Sequence, residues 1–75
     1  MPKIPSLKPR QVIAVLSKAG FVQRESSGSH FIFRHPDTRK IVVVPVHGGK
    51  DIKKGTLRNI IRQTGIPVDA FLDLL

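Results

Sequence analysis

The tripeptide Gly28-Ser29-His30 contains the side chain of this sequence that is best suited to acid–base chemistry. A histidine ordinarily titrates near neutral pH, so an imidazole can take up or release a proton under cellular conditions. Small neighbours such as Gly28 and Ser29 permit a bulge, or the close approach of a ligand to the backbone. Two interpretations follow: His30 is a general acid or base, or it is an inert surface residue.

The other two histidines give weaker signals. His35 precedes a proline and is expected only to introduce a turn, whereas His47 precedes the pair Gly48-Gly49 and is expected in a loop. From that loop His47 could approach the surface that carries His30 and serve as a second catalytic group. His30 and His35 are five residues apart in one predicted strand and therefore face opposite ways, which argues against a shared metal ion. We expect no metal site and no cofactor.

The charge of the chain indicates its class of partner. The 75 residues include 13 Lys or Arg and 5 Asp or Glu, which gives a net charge of +8 with neutral histidines. Such an excess in a short chain favours polyanions, above all RNA and DNA, over a merely solvated basic surface. On RNA, a base that deprotonates a 2′-hydroxyl lets that oxygen attack the adjacent phosphorus, while cations stabilise the charge that develops on the phosphate. His30 with basic neighbours would suffice for this reaction.

Length and composition exclude several other classes. A single domain of 75 residues has a thin core and no room for a deep small-molecule cavity, so we expect a shallow groove. The absence of cysteine excludes disulfides and thiolate chemistry. The longest apolar run, Ile41 to Val44, is too short to span a bilayer, and the opening residues lack a secretory apolar region. We expect a cytoplasmic protein with no membrane partner.

Hydrophobic spacing predicts the elements that position these residues. Apolar residues three and four apart indicate a helix over 8–20 and another over 56–65, each ended by a glycine, with Thr56 as the N-cap of the second. The segments 21–27, 29–35 and 40–46 are expected to be strands of an antiparallel sheet, and Pro45 indicates that the third strand either frays there or lies at the sheet edge. A short third helix opens at Pro67, and its expected inner face consists of Val68, Phe71, Leu72 and Leu75.

The fold class expected from this order is α+β, with helices covering one face of a three-stranded antiparallel sheet. In the second strand, the two-residue period then turns Phe31 and Phe33 toward the helices. His30, Ile32 and Arg34 must face the other way. The pattern therefore predicts an imidazole and a guanidinium side by side on an open face.

Several segments together resemble the HicA toxins, also called YcfA-like proteins, which are small mRNA interferases of type II toxin–antitoxin systems in bacteria and archaea. Each segment alone is a weak signal, but their order and spacing in so short a chain are fairly specific. The segments are LSKAGF (16–21), GSHFIFRHP (28–36), IVVVPVH (41–47), KKGTLRNII (53–61) and GIPVDAFLDLL (65–75).

The resemblance implies a single domain over 1–75 with a double-stranded-RNA-binding-domain-like fold, of order α-β-β-β-α with a short terminal helix. It implies metal-independent endoribonuclease activity on mRNA, with His30 as the catalytic residue and Gly28 and Ser29 positioning the substrate. It also implies a HicB-like antitoxin partner, which covers the histidine and the surrounding surface.

The resemblance does not settle which basic residues hold RNA. Because Arg34 shares the face of His30, we expect it to bind the scissile phosphate. Flanking phosphates are assigned to the residues before and at the start of the second helix, where backbone amides add donors: Lys50, Lys53, Lys54 and Thr56. Two alternatives stay open, a non-catalytic RNA-binding module and, with no recognisable helix-turn-helix spacing to support it, a DNA-binding protein.

Overall fold

A computed structural model describes residues 3–75, which form six elements in the order α-β-β-β-α-α. This order confirms the α+β class and the sequence of elements predicted above. None of the helices in this part of the chain combines the length and the apolar character needed to cross a membrane. The elements are α1 (Pro9–Lys18), β1 (Val22–Ser27), β2 (His30–Arg34), β3 (Ile41–Pro45), α2 (Lys54–Thr64) and α3 (Val68–Asp73).

The three strands form one antiparallel sheet in the order β1-β2-β3, so β2 is central. Ser27 pairs with His30 across the tight turn at 28–29, and His30 pairs on its other side with Pro45. Pro45 is the last residue of an edge strand, as predicted. Its missing N–H therefore removes no bond from the interior of the sheet.

A bulge interrupts the pairing of β1 with β2. The register shifts between Gln23 and Glu25, which leaves Arg24 without a partner on β2. An uninterrupted hairpin would pair Arg24 with Phe33 and turn the arginine toward the helices. The sequence suggested that Gly28 permits a bulge. The bulge lies at Arg24 instead, and Gly28 lies in the hairpin turn.

The core lies between the helices and one face of the sheet. Phe33 is 1% exposed there, and Phe31 is half-buried against the same cluster, so the predicted inward direction of both rings is confirmed. His30 and Arg34 are exposed, in agreement with the predicted open face. The buried apolar residues are Leu7, Val12, Val15, Leu16, Phe21, Phe33, Val42, Val44, Ile52, Leu57, Ile60, Ile61 and Phe71.

The ends of the first two helices agree with the sequence except at one position. Gly20 and Gly65 follow α1 and α2 with φ of 94° and 74°, the left-handed conformation that glycine favours. The prediction that Thr56 is the N-cap of α2 is wrong. Lys53 is the N-cap, because its extended backbone places its carbonyl 2.8 Å from the donating N–H of Leu57. Thr56 thus lies within the first turn.

The third helix is shorter than the apolar pattern suggests. Phe71 is buried, and Val68 and Leu72 pack against the core as predicted. The prediction that Leu75 shares this inner face is wrong, because α3 ends at Asp73 and Leu75 is 50% exposed beyond it.

The two faces of the sheet can be tested with one substitution at adjacent positions of β3. Val42 is fully buried and Val43 is 37% exposed on the open face. Val42→Ala should lower the free energy of unfolding by about 2 to 3 kcal/mol, from lost burial and the cavity left behind. Val43→Ala should lower it by less than half as much in urea unfolding. Equal losses would contradict the assignment of the two faces.

Candidate functional site

His30 stands at the start of the central strand with its side chain exposed on the open face. Its backbone is held on both sides by Ser27 and Pro45, and the carbonyl of Ser29 accepts a hydrogen bond of 2.8 Å from the N–H of Val46. The hydroxyl oxygen of Ser29 lies 3.1 Å from Nδ1 of the imidazole. The sheet therefore fixes the backbone of His30, and Ser29 engages one ring nitrogen.

A cleft of about 490 Å³ opens next to this histidine. Cross-strand neighbours in an antiparallel pair have Cβ atoms about 5 Å apart, so Pro45, which lines the cleft, lies directly beside His30. The full lining is Pro45, His47, Lys50, Asp51, Ile52, Lys53 and Thr56. The cleft therefore places basic residues that precede α2 next to the strand position paired with His30, although the imidazole is not part of its lining.

The loop that carries His47 into the cleft is a tight turn. Gly48 and Gly49 have φ of 55° and 85°, and the N–H of Lys50 donates a hydrogen bond of 3.0 Å to the carbonyl of His47. Two consecutive positive φ angles are the reason glycine stands at both positions. His47 and Lys50 are thereby brought to the same side of the chain.

This loop is tied to the segment before α1. The Nζ of Lys8 donates a hydrogen bond of 2.9 Å to the carbonyl of Gly49 and lies 3.4 Å from the carboxylate of Asp51. The N–H of Ile52 donates to the carbonyl of Leu7 at 2.9 Å. Because Asp51 pairs with Lys8, the acidic residue of the cleft is already engaged by a cation at its rim.

Two of the four basic residues assigned to RNA in the sequence analysis line this cleft. Lys50, Lys53 and Thr56 line it together with His47. Lys54 is exposed in the first turn of α2 but is not part of the lining. Lys50, Lys53 and Thr56 therefore share one cleft, and their role in binding RNA stays a prediction.

Arg34 occupies the opposite end of β2 from His30. The two residues face the same way, but four steps along a strand separate their Cα atoms by about 13 Å. The prediction that imidazole and guanidinium stand side by side is therefore wrong. Arg34 instead lines a shallow pocket of about 330 Å³ with Val22, Arg24, Pro36 and Arg39. Sequence reasoning did not find this pocket, because Arg24 reaches it only through the bulge.

Aliphatic side chains occupy much of the open face from the middle of β2 to its Arg34 end, although Ile32 is paired with Glu25 on β1. Ile32 is half-buried, whereas Val22, Ile41 and Val43 are among the most exposed large apolar residues of the described chain. In the sheet register Ile32 pairs with Val43, and Arg34 pairs with both Val22 and Ile41, so these residues are neighbours. Exposed aliphatic side chains grouped on one face, here around Arg34, are typical of surfaces that contact a partner.

His35 has the structural position predicted for it. Its Nδ1 accepts hydrogen bonds from the N–H groups of Asp37 and Thr38, at 3.1 and 3.3 Å, and its ring packs edge-on against Phe21. The side chain therefore holds the turn that joins β2 to β3. Within residues 3–75, no group of three or more His, Asp or Glu side chains is placed to hold a metal ion.

Comparison with known proteins gives one family. A protein-family model described as the HicA toxin of bacterial toxin–antitoxin systems matches residues 9–66. This range includes α1, the three strands and α2, and with them His30 and the whole lining of the cleft. No curated protein matches the chain.

Proposed function

Since this chain belongs to the HicA toxin family, as its sequence motifs predicted, we propose that it is a toxin that acts as an endoribonuclease on mRNA and so inhibits translation and growth. The observation that carries the proposal is an exposed histidine on the open face of a sheet, next to a cleft lined by lysines. No comparison assigns a role to any of these residues. The mechanism below is our inference from their geometry.

His30 is proposed to act as the general base. When its Nδ1–H donates to the hydroxyl oxygen of Ser29, 3.1 Å away, the neutral ring leaves Nε2 free to accept a proton. Nε2 takes the proton of a ribose 2′-hydroxyl, and the 2′-oxygen forms a bond to the adjacent phosphorus. The bond from phosphorus to the 5′-oxygen breaks, which leaves a 2′,3′-cyclic phosphate and a 5′-hydroxyl. Acid–base assistance of this kind contributes about 10²- to 10⁴-fold.

The leaving 5′-oxygen needs a proton, and His47 is the proposed donor. It lines the cleft that begins at Pro45, the cross-strand neighbour of His30. Lys50 shares this cleft and provides an alternative donor. The fixed turn at Gly48-Gly49 supports the assignment, because it orients both side chains without a large movement of the loop.

The cations of the cleft are proposed to hold the phosphates of the RNA. Lys50 and Lys53 line the cleft, and Lys54 stands beside it at the start of α2. The first turn of α2 carries no acidic residue, so its N–H groups and the positive end of the helix dipole favour an anion near Thr56. These groups would stabilise the negative charge that grows on the phosphate oxygens during attack.

Gly28 is proposed to give the RNA backbone access to the imidazole. A Cβ atom added at this position would meet no atom within 4 Å, so the turn before His30 is open to solvent. A strand lying over this turn would bring a ribose to the exposed edge of the ring.

The family implies an antitoxin partner, and we propose that it binds the open face of the sheet. Ile41 and Val43 are exposed there, and His30 stands on the same face. A protein that buries these aliphatic side chains would also cover the imidazole. Inhibition would then follow from exclusion of the RNA.

Substitution of the proposed base tests the function directly. His30→Ala should reduce cleavage of single-stranded RNA by at least about 100-fold, because the reaction loses its general base. The measurement is gel analysis of RNA incubated with purified protein in the presence of a chelator. Since the side chain is exposed, thermal unfolding and RNA affinity should stay close to those of the wild type. Equal cleavage by both proteins refutes the proposal, and binding without cleavage by the wild type indicates an RNA-binding module.

The contact between Ser29 and the imidazole makes a second prediction. Ser29→Ala should lower kcat about five- to tenfold and leave KM nearly unchanged, because we assign the hydroxyl to orienting the ring and not to the substrate contact expected from the sequence. Ser29→Thr keeps the hydroxyl and should restore most of the rate. Ser27→Ala is the matched control, since that hydroxyl donates only a long bond of 3.5 Å to the backbone carbonyl of His30. Identical rates for the two alanine variants would contradict the assignment.

The antitoxin surface is tested with exposed aliphatic residues. Replacing Ile41 and Val43 together by Ser should weaken binding of the cognate antitoxin by about tenfold or more, because an apolar contact is lost. Leu75→Ser is the control, since Leu75 is similarly exposed but lies outside the sheet. Isothermal titration calorimetry measures the affinities. An equal effect of the control, or none from the pair, would place the antitoxin elsewhere.

A further inference from the structure

We propose that Arg24, Arg34 and Arg39 form an RNA subsite that holds one nucleotide of the substrate strand at a distance from the bond to be cleaved. The inference rests on the proposed ribonuclease function and extends it to the other end of the sheet. The name arginine subsite is used below for these three residues and the pocket that they line with Val22 and Pro36.

The arginine subsite gathers positive charge that the protein itself does not neutralise. All three arginines are exposed around one pocket of about 330 Å³. Within residues 3–75 the one ion pair closer than 4.0 Å joins Lys8 to Asp51, far along the chain from this pocket. Glu25, next to Arg24, makes no such pair. Like charges held together repel, so a bound phosphate would relieve their repulsion and accept the bidentate hydrogen bonds that guanidinium groups make.

Backbone irregularities place two of the three side chains. Arg24 is the extra residue of the bulge in β1, and it lines the pocket instead of pairing with β2. Arg39 has φ of 63°, a left-handed conformation that is unfavourable for a residue with a Cβ atom. A hydrogen bond of 2.8 Å closes the turn that contains Arg39, from its N–H to the carbonyl of His35. The pocket therefore depends on local structure that departs from regular pairing.

The side-chain chemistry favours RNA over an acidic protein segment. Proteins hold single-stranded RNA by phosphate contacts and by stacking bases on aromatic rings or on guanidinium planes. The chain has no Trp or Tyr, and its four Phe are buried or packed against the core on the helix side of the sheet. At this end of the open face, the guanidinium groups are thus the planar surfaces on which a base can stack. A carboxylate would use the bidentate edge of a guanidinium group and leave its stacking face unused.

The distance from His30 determines which RNA can reach the subsite. The Cα atoms of His30 and Arg34 are about 13 Å apart, which corresponds to about four nucleotides stacked at 3.4 Å each, and to fewer in an extended strand. Ile32 stands between them on the same face and is paired with Glu25 of β1, so no cation there holds an intervening phosphate. The arginine subsite would therefore act only on RNA that extends several nucleotides beyond the cut.

The test compares two triple variants in a His30→Ala background, which we expect to bind RNA without cleaving it. One replaces Arg24, Arg34 and Arg39 by Gln. The control replaces three exposed helical arginines, Arg10, Arg58 and Arg62, by Gln. Each variant lowers the net charge of +8 by three, so the loss of general electrostatic attraction is matched.

Fluorescence anisotropy with single-stranded RNA of about twelve nucleotides, at several salt concentrations, measures the affinities. The arginine-subsite variant should bind at least about tenfold more weakly than the control. The plot of log K against log salt has a negative slope. This slope should be shallower than in the control, by about 0.7 for each lost phosphate contact. With a dinucleotide, which is too short to occupy both ends of the face even when extended, the difference between the two variants should be much smaller.

A second variant keeps the test decisive if the Gln variant fails to fold. Replacing the three arginines by Lys preserves the charge but removes the planar, forked groups. It should bind the longer RNA more weakly than the parent, with circular dichroism unchanged. Affinity equal to the parent would overturn a subsite that depends on stacking and bidentate contacts.

The outcomes separate this inference from the proposed function. If the wild type cleaves RNA but the two Gln variants bind the longer RNA equally, the arginine subsite is refuted and the ribonuclease stands. If the Gln substitutions weaken only the antitoxin complex, the pocket belongs to a protein partner and the inference fails. If the His30→Ala parent binds no RNA at all, both proposals are overturned.

Discussion

The burial of Phe33 beneath the helices is the constraint on which the rest of the structure depends. Because side chains alternate along a strand, a ring fixed on the helix side directs His30 and Arg34 to the open face. A shift of one residue would exchange these positions, placing charge in the core and aromatic rings in solvent. The exposure of His30 therefore follows from the burial of Phe33 in the same strand, and no other contact is needed to turn the imidazole outward.

Much of the fold could be predicted because its periodic features are strong. Apolar spacing identifies α1 and α2, and the alternation in β2 assigns its two faces. The errors lie at element ends, where tertiary contacts override local pattern. Thr56 has the side chain of an N-cap, but α2 starts at Lys54. Leu75 continues an apolar stripe, but α3 ends before it. The local sequence does not determine the last residue of a helix when contacts with distant segments also affect where the helix begins or ends.

The candidate site was predictable where it depends on neighbours in sequence, and not where it depends on register. The group of His47, Lys50 and Lys53 near His30 follows from the hairpin and the loop after it. The distance of Arg34 could have been read from strand geometry, since four residues of extended chain separate it from His30. The face on which Arg24 lies could not be predicted, because it depends on a bulge of one residue. The residue types around Arg24 give no sign of that bulge.

The central claim is that an imidazole on the open face deprotonates a ribose 2′-hydroxyl, and the ends of the cleaved RNA test it most directly. Mass spectrometry of the products should find a 2′,3′-cyclic phosphate on one fragment and a 5′-hydroxyl on the other. A substrate with a single 2′-deoxyribose at the cleaved position should stay intact. Fragments with a 3′-hydroxyl and a 5′-phosphate, or cleavage of the deoxy substrate, would show that water is the nucleophile and would contradict the account.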